Sequence, residues 1–112
     1  MPNIERGDCM NTEQSACLII GNAGDSRSSS LEALQLAGEH KYDQARKKLA
    51  EASNSLLEAH KEHTKLLVTD ARENSVVVTM LIAHAADHLA NAETIYDLVE
   101  QMIVILEERD NV

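Results

Sequence analysis

From Tyr42 onward, Tyr42, Ala45, Leu49, Ala52, Leu56, Ala59, His63 and Leu66 recur at alternating three- and four-residue steps, with charged residues between them. That spacing predicts a helix with one face to a core and the other to water, ending near Asp70. A second series, Leu81, His84, His88, Asn91, Ile95, Leu98, Met102 and Ile105, keeps the same steps and predicts a helix from near Ser75 to about Glu108. Ahead of both, Thr12-Glu-Gln-Ser resembles a helix start. Ala16, Ile19, Ile20, Ala23, Leu31 and Leu34 carry that helix to Ala37, with Gly38 as its cap. Its middle, residues 21–30, is a weak helix former, because each of its two glycines costs about 1 kcal/mol relative to Ala. Small residues there predict the close approach of another helix, with Asp25 or Arg27 beside a site as the alternative. The links are short, 71–74 being a tight connection, so consecutive helices are antiparallel neighbours. The expected fold is all-α, an antiparallel three-helix bundle.

Composition narrows this further. Phe and Trp are absent and Tyr occurs twice in 112 residues, so the core is aliphatic and rich in Ala, which suits close helix packing and argues against a β-sandwich. Residues 1–11 are polar and contain Pro2 and Gly7, reading as a mobile leader to a domain over 12–112. A net charge of −9 offers no basic patch for a phosphate backbone, so no nucleic acid is expected. No window nears the roughly 20 apolar residues of a membrane span and no signal-peptide layout opens the chain. A cytoplasmic protein with no direct membrane insertion is expected. Cys9 and Cys17 form neither a CxxC pair nor a disulfide framework and read as free thiols.

The third helix carries apolar residues on more than one side. The run Met102–Leu106 covers more circumference than a lone bundle can bury. Self-association into a closed ring, with helix 3 of each subunit lining the axis, solves this.

Candidate chemistry lies in the first half of the same helix. His84, Asp87 and His88 fall within an arc of roughly 100° on a helix of about 3.6 residues per turn. Folding helix 3 back about Arg72 and Glu73 puts His84 level with Lys61, so that His60, His63, His84 and His88 share a height. Besides packing in the core, two chemistries are open to such residues. A neutral imidazole, with an ordinary pKa of about 6.5, is a nucleophile for phosphoryl transfer at neutral pH. Alternatively, His84 and His88 with His60 or His63 across the bundle would make a histidine-rich transition-metal site, with zinc held near 2.0–2.1 Å.

The segments Ala23-Gly24-Asp25-Ser26-Arg27-Ser28, Leu31-Glu32-Ala33-Leu34 and Glu58-Ala59-His60 with Thr64, and above all Val78-Thr79-Met80 before His84 with Asp87-His88-Leu89 after it, resemble one family. It is that of the IIA components of the lactose/cellobiose class of the bacterial sugar phosphotransferase system, over roughly residues 18–106. The resemblance implies a homotrimer of three-helix subunits with helix 3 near the axis. It implies that HPr phosphorylates a histidine, that the phosphoryl group passes to a cysteine of the IIB component, and that the membrane IIC permease is served indirectly. His84 occupies the phosphorylated position, and His88 that of a second histidine near the site, placed to contact the phosphate. Asp87 matches an aspartate that meets its symmetry mates on the axis and holds a divalent cation, here expected to be Mg²⁺. Ala86 and His63 stand where the family usually has glutamines. A rim of Met80, Leu81 and Ile82 would keep water from the phosphohistidine.

Overall fold

The computed structural model describes the backbone of residues 2–74 and 76–112, with side chains described over 12–74 and 76–112. Three helices follow in order, α1 (Pro2–Gly38), α2 (Tyr42–Glu73) and α3 (Met80–Asp110), and no strand occurs among the described residues. The backbone of α1 is helical upstream of the Thr12 start; the side chains of the leader expected over 1–11 lie outside the described residues.

Each helix contributes a seam of three- and four-residue steps to the core. On α1 it is Ala16, Ile19, Ala23, Ser26, Ser30, Ala33 and Ala37, each no more than 1% exposed. On α2 it is Ala45, Ala52, Leu56, Ala59 and Leu66, with Tyr42, Leu49 and His63 half-buried, as the sequence pattern requires. α1 packs along both partners, whereas α2 and α3 meet along a lesser stretch. Alanine and serine on α1 make this possible, since short side chains let two helices approach the same axis closely. The core is thereby divided in two. One cluster gathers Ile19, Leu56, Leu66 and Leu89, and the other Ala33, Ala37, Val99 and Ile103. Ser26 and Ser30, wholly buried with no hydrogen-bond partner for either hydroxyl, lie between them along α1.

The small-residue stretch of α1 does allow close approach, but not through its glycines. A Cβ at Gly21 or Gly24 would meet nothing within 4 Å, and Asp25 and Arg27 are exposed.

The seam of α3 differs from the expected one by a single residue. Ala85, Leu89, Ala92, Val99 and Ile103 are buried, whereas His84, Asn91, Leu98, Met102 and Ile105 are exposed. One residue is about 100° of rotation, so the series that contains the histidines lies off the intramolecular core. Both series satisfy the same periodicity, and α1 selects the one with more alanine because it approaches closely.

The turns explain the remaining differences. α1 ends in a left-handed residue, but His40 (φ 64°) takes that role and not Gly38, with the His40 N–H on the Ala37 carbonyl at 3.0 Å and the Lys41 N–H on Leu36 at 2.9 Å. At the end of α2, Asn74 (φ 49°) donates its N–H to the Asp70 carbonyl at 2.8 Å. α3 begins at Met80, five residues after the expected Ser75, because Val76, Val77 and Val78 are β-branched and disfavour a first helical turn. Thr79 then caps the helix, its hydroxyl accepting from the Ile82 N–H at 3.2 Å, an arrangement worth about 1 kcal/mol.

At the opposite end, His40 and Tyr42 both bond the Asp110 carboxylate, and Arg46 pairs with Glu107, tying the α1–α2 turn to the end of α3. The Tyr42 hydroxyl, and secondarily His40, holds the Asp110 carboxyl below its usual range.

Candidate histidine site on α3

Because Thr79 fixes the start of α3, His84 falls early in the helix and His88 one turn further on. Their Nε2 atoms are 3.0 Å apart, the ring centroids 4.4 Å apart, and the ring planes nearly perpendicular at 89°. His84 is exposed and His88 half-buried, with Ala85 and Leu89 sealed beneath them against the core. One ring therefore donates Nε2–H to the lone pair of the other. Asp87 is exposed on the same outer side of the helix.

The expected meeting of four histidines does not occur. His60 faces Glu93 at 3.6 Å, and together with Arg46–Glu107 and Tyr42–Asp110 this sets a register in which His84 stands level with Thr69. His84 lies nine residues from Glu93, about 13 Å along the helix axis at about 1.5 Å per residue. The physical reason is the six-residue link 74–79, which shifts α3 relative to a fold about Arg72 and Glu73. Among the described residues no group of three or more His, Cys, Asp or Glu side chains could hold a metal ion within one chain. The zinc alternative therefore loses its ligands across the bundle.

The apolar rim lies partly elsewhere than expected. Leu81 and Ile82 are half-buried and pack on the core, while Val77 (74% exposed), Val78 (76%) and Met80 (89%) form the exposed apolar surface before His84. An open groove of about 570 Å³ runs along α2, lined by Leu57, His60, Lys61, Thr64, Lys65, Val68 and Thr69. The register sets Lys65 level with His88. Lys61 and Lys65 are held by Glu58 (3.1 Å) and Glu62 (2.9 Å), and the Lys65 ammonium, helped by the Ser15 hydroxyl, keeps the Glu62 carboxyl below its usual range. The signal for this groove was present in the sequence as Leu57, Lys61, Thr64 and Val68 at helical spacing, on a face the core pattern does not use.

The bundle and its imidazole pair define an all-α protein with a histidine site on its third helix, and comparison with known proteins says which family it belongs to. The family model "PTS system, Lactose/Cellobiose specific IIA subunit" matches residues 14–107. A lichenan-specific phosphotransferase enzyme IIA component of Bacillus subtilis is 38% identical over 86% of this chain and 87% of its own length. The lactose-specific EIIA component of Streptococcus mutans is 35% identical over 84% and 93%. Among solved structures, the cellobiose-specific enzyme IIA from Bacillus anthracis superposes with a TM-score of 0.85 at 33% identity, covering 89% of this chain and 92% of that one. A IIA(chitobiose)–HPr complex from Escherichia coli gives a TM-score of 0.78 at 28% identity, over 88% and 96%. The chain belongs to the lactose/cellobiose-specific IIA family and is a phosphotransferase component of sugar uptake. No helix among the described residues is long and apolar enough to cross a membrane.

Proposed function

We propose that His84 is the phosphoryl carrier, receiving the group from HPr and surrendering it to a cysteine of IIB, which serves a membrane IIC permease. The observation that carries this is the exposed His84 ring with Nε2 hydrogen-bonded to His88. An HPr complex of a similar IIA protein supports the donor.

The exchange needs little from the protein beyond positioning and charge stabilisation, because phosphoryl transfer passes through a loose, in-line transition state. For Nε2 of His84 to attack, its lone pair must be free of a proton, so the shared proton sits on His88 Nε2 and His84 keeps its own on Nδ1. As the donor's bond to phosphorus breaks and the N–P bond forms, the His88 N–H turns from the ring to a phosphoryl oxygen. In the second exchange the N–P bond breaks as an S–P bond to the IIB cysteine forms. The exposed Val77, Val78 and Met80 provide an apolar collar on which a docked protein excludes water.

Assembly is part of the same reading. Leu98 (57% exposed), Met102 (44%) and Ile105 (51%) continue the histidine face along α3 and suit a homotrimer about α3. Asp87 lies on that helix, one exposed carboxylate per chain. Three such carboxylates at an axis repel unless they share protons or a cation, and an all-oxygen set suits Mg²⁺. Bound there, the ion would offset two of the three aspartate charges. The location we infer is cytoplasmic. The relatives' names span lichenan, lactose and cellobiose, so they assign the carrier role and not a sugar.

The test is incubation with phosphoenolpyruvate, enzyme I and HPr. Wild-type protein takes up one phosphoryl group per chain and His84→Ala takes up none while keeping its helical signal; uptake by the variant overturns the assignment.

A further inference from the structure

Two imidazole nitrogens 3.0 Å apart on an accessible helix face are also half of a metal's coordination shell. Zinc binds imidazole nitrogen at about 2.0–2.1 Å in a tetrahedral shell, which sets two of its donors about 3.3 Å apart. The His84 and His88 nitrogens already stand within a few tenths of an ångström of that separation. The rings lie on successive turns of one rigid helix, so a modest rotation about either side-chain bond aims both lone pairs at one point. His88 need only move its proton from Nε2 to Nδ1, with no net release from the neutral pair.

We infer that the unphosphorylated His84–His88 pair chelates one borderline transition-metal ion, of which Zn²⁺ is the representative, and that the ion and the phosphoryl group exclude each other on His84. Imidazole suits such ions, and a chain of net charge −9 draws cations to its surface. No third donor is close among the described residues, so water completes the shell. The site is therefore exchangeable, unlike the closed four-ligand set of a structural zinc. Chelation rests on the geometry of the pair alone; mutual exclusion rests on the carrier role proposed for His84.

The experiment is a titration of the full, unphosphorylated chain with zinc chloride, following the histidine ring resonances by NMR. The expected result is a joint shift or broadening of His84 and His88, saturating at one equivalent per chain and reversed by EDTA, while His40, His60 and His63 stay unmoved. Magnesium chloride, a hard ion drawn to carboxylate oxygen, does not reproduce the zinc effect at one equivalent per chain and does not displace zinc from the two rings. His88→Gln abolishes the effect with the helical signal retained, and zinc blocks phosphoryl uptake from HPr in the wild type. Zinc that leaves both rings unmoved, perturbs His60 or His63 instead, or binds His88→Gln undiminished overturns chelation. Full uptake in the presence of saturating zinc overturns exclusion. Failure of the carrier reading itself would show separately, as no uptake in metal-free protein.

Discussion

The two faces of α3 answer to different physical demands although one heptad rhythm generates both. The inner face, Ala85, Leu89, Ala92, Val99 and Ile103, is sealed against α1 and holds the fold. The outer face, one residue out of phase, carries His84 and His88 at one end and uncovered Leu98, Met102 and Ile105 at the other. Stability and chemistry are thus separated by about 100° of rotation on the same helix, so that either can be altered with the other left in place.

The largest separation is expected from charge on the outer face. Leu98→Asp with Met102→Asp removes the proposed trimer, and analytical ultracentrifugation reads the mass of one chain; circular dichroism is unchanged because neither residue belongs to the core. An undiminished mass would assign assembly to another surface. On the inner face, Leu89→Ala empties a buried site and costs about 2–5 kcal/mol in urea unfolding. A loss below about 1 kcal/mol there would remove the distinction between the faces. Asp87→Leu is smaller in its effect on the fold: the protein stays helical, elemental analysis finds the proposed divalent cation lost, and the oligomer behaviour changes. Unchanged mass and metal content contradict the axial role.

The smallest effect is expected far from both faces, at Asp110. Its carboxyl is held low by Tyr42 first and His40 second, so its contribution is present above the ordinary Asp value of about 3.9 and lost as pH falls through its lower folded-state value. Asp110→Asn accordingly lowers Tm slightly at pH 7 and by less at pH 2. An equal offset at both pH values would mean packing, not charge, matters there.

Helix number and order, and the core face of α2, were legible from periodicity, because the residues between the seam positions from Ala45 to Leu66 are mostly polar or charged and leave one solution. On α3, apolar residues occupy two adjacent series, and periodicity alone did not say which one α1 would cover. The late start of α3 was written in Val76, Val77, Val78 and Thr79, whose β-branching outweighs their hydrophobicity before a capping threonine. Missing that link misplaced the height of His84 and produced the unrealised cluster with His60. Pairing of His84 with His88 was legible, since four residues on one helix bring two rings together regardless of the tertiary fold.

One measurement bears directly on the claim that the outer face of α3 carries the phosphoryl group. Metal-free protein labelled through phosphoenolpyruvate, enzyme I and HPr is digested at alkaline pH, and the acid-labile label is located among the five histidines by fragment mass. The account predicts the label on His84 alone. A label on His40, His60 or His63, with His84 unmodified, would contradict it.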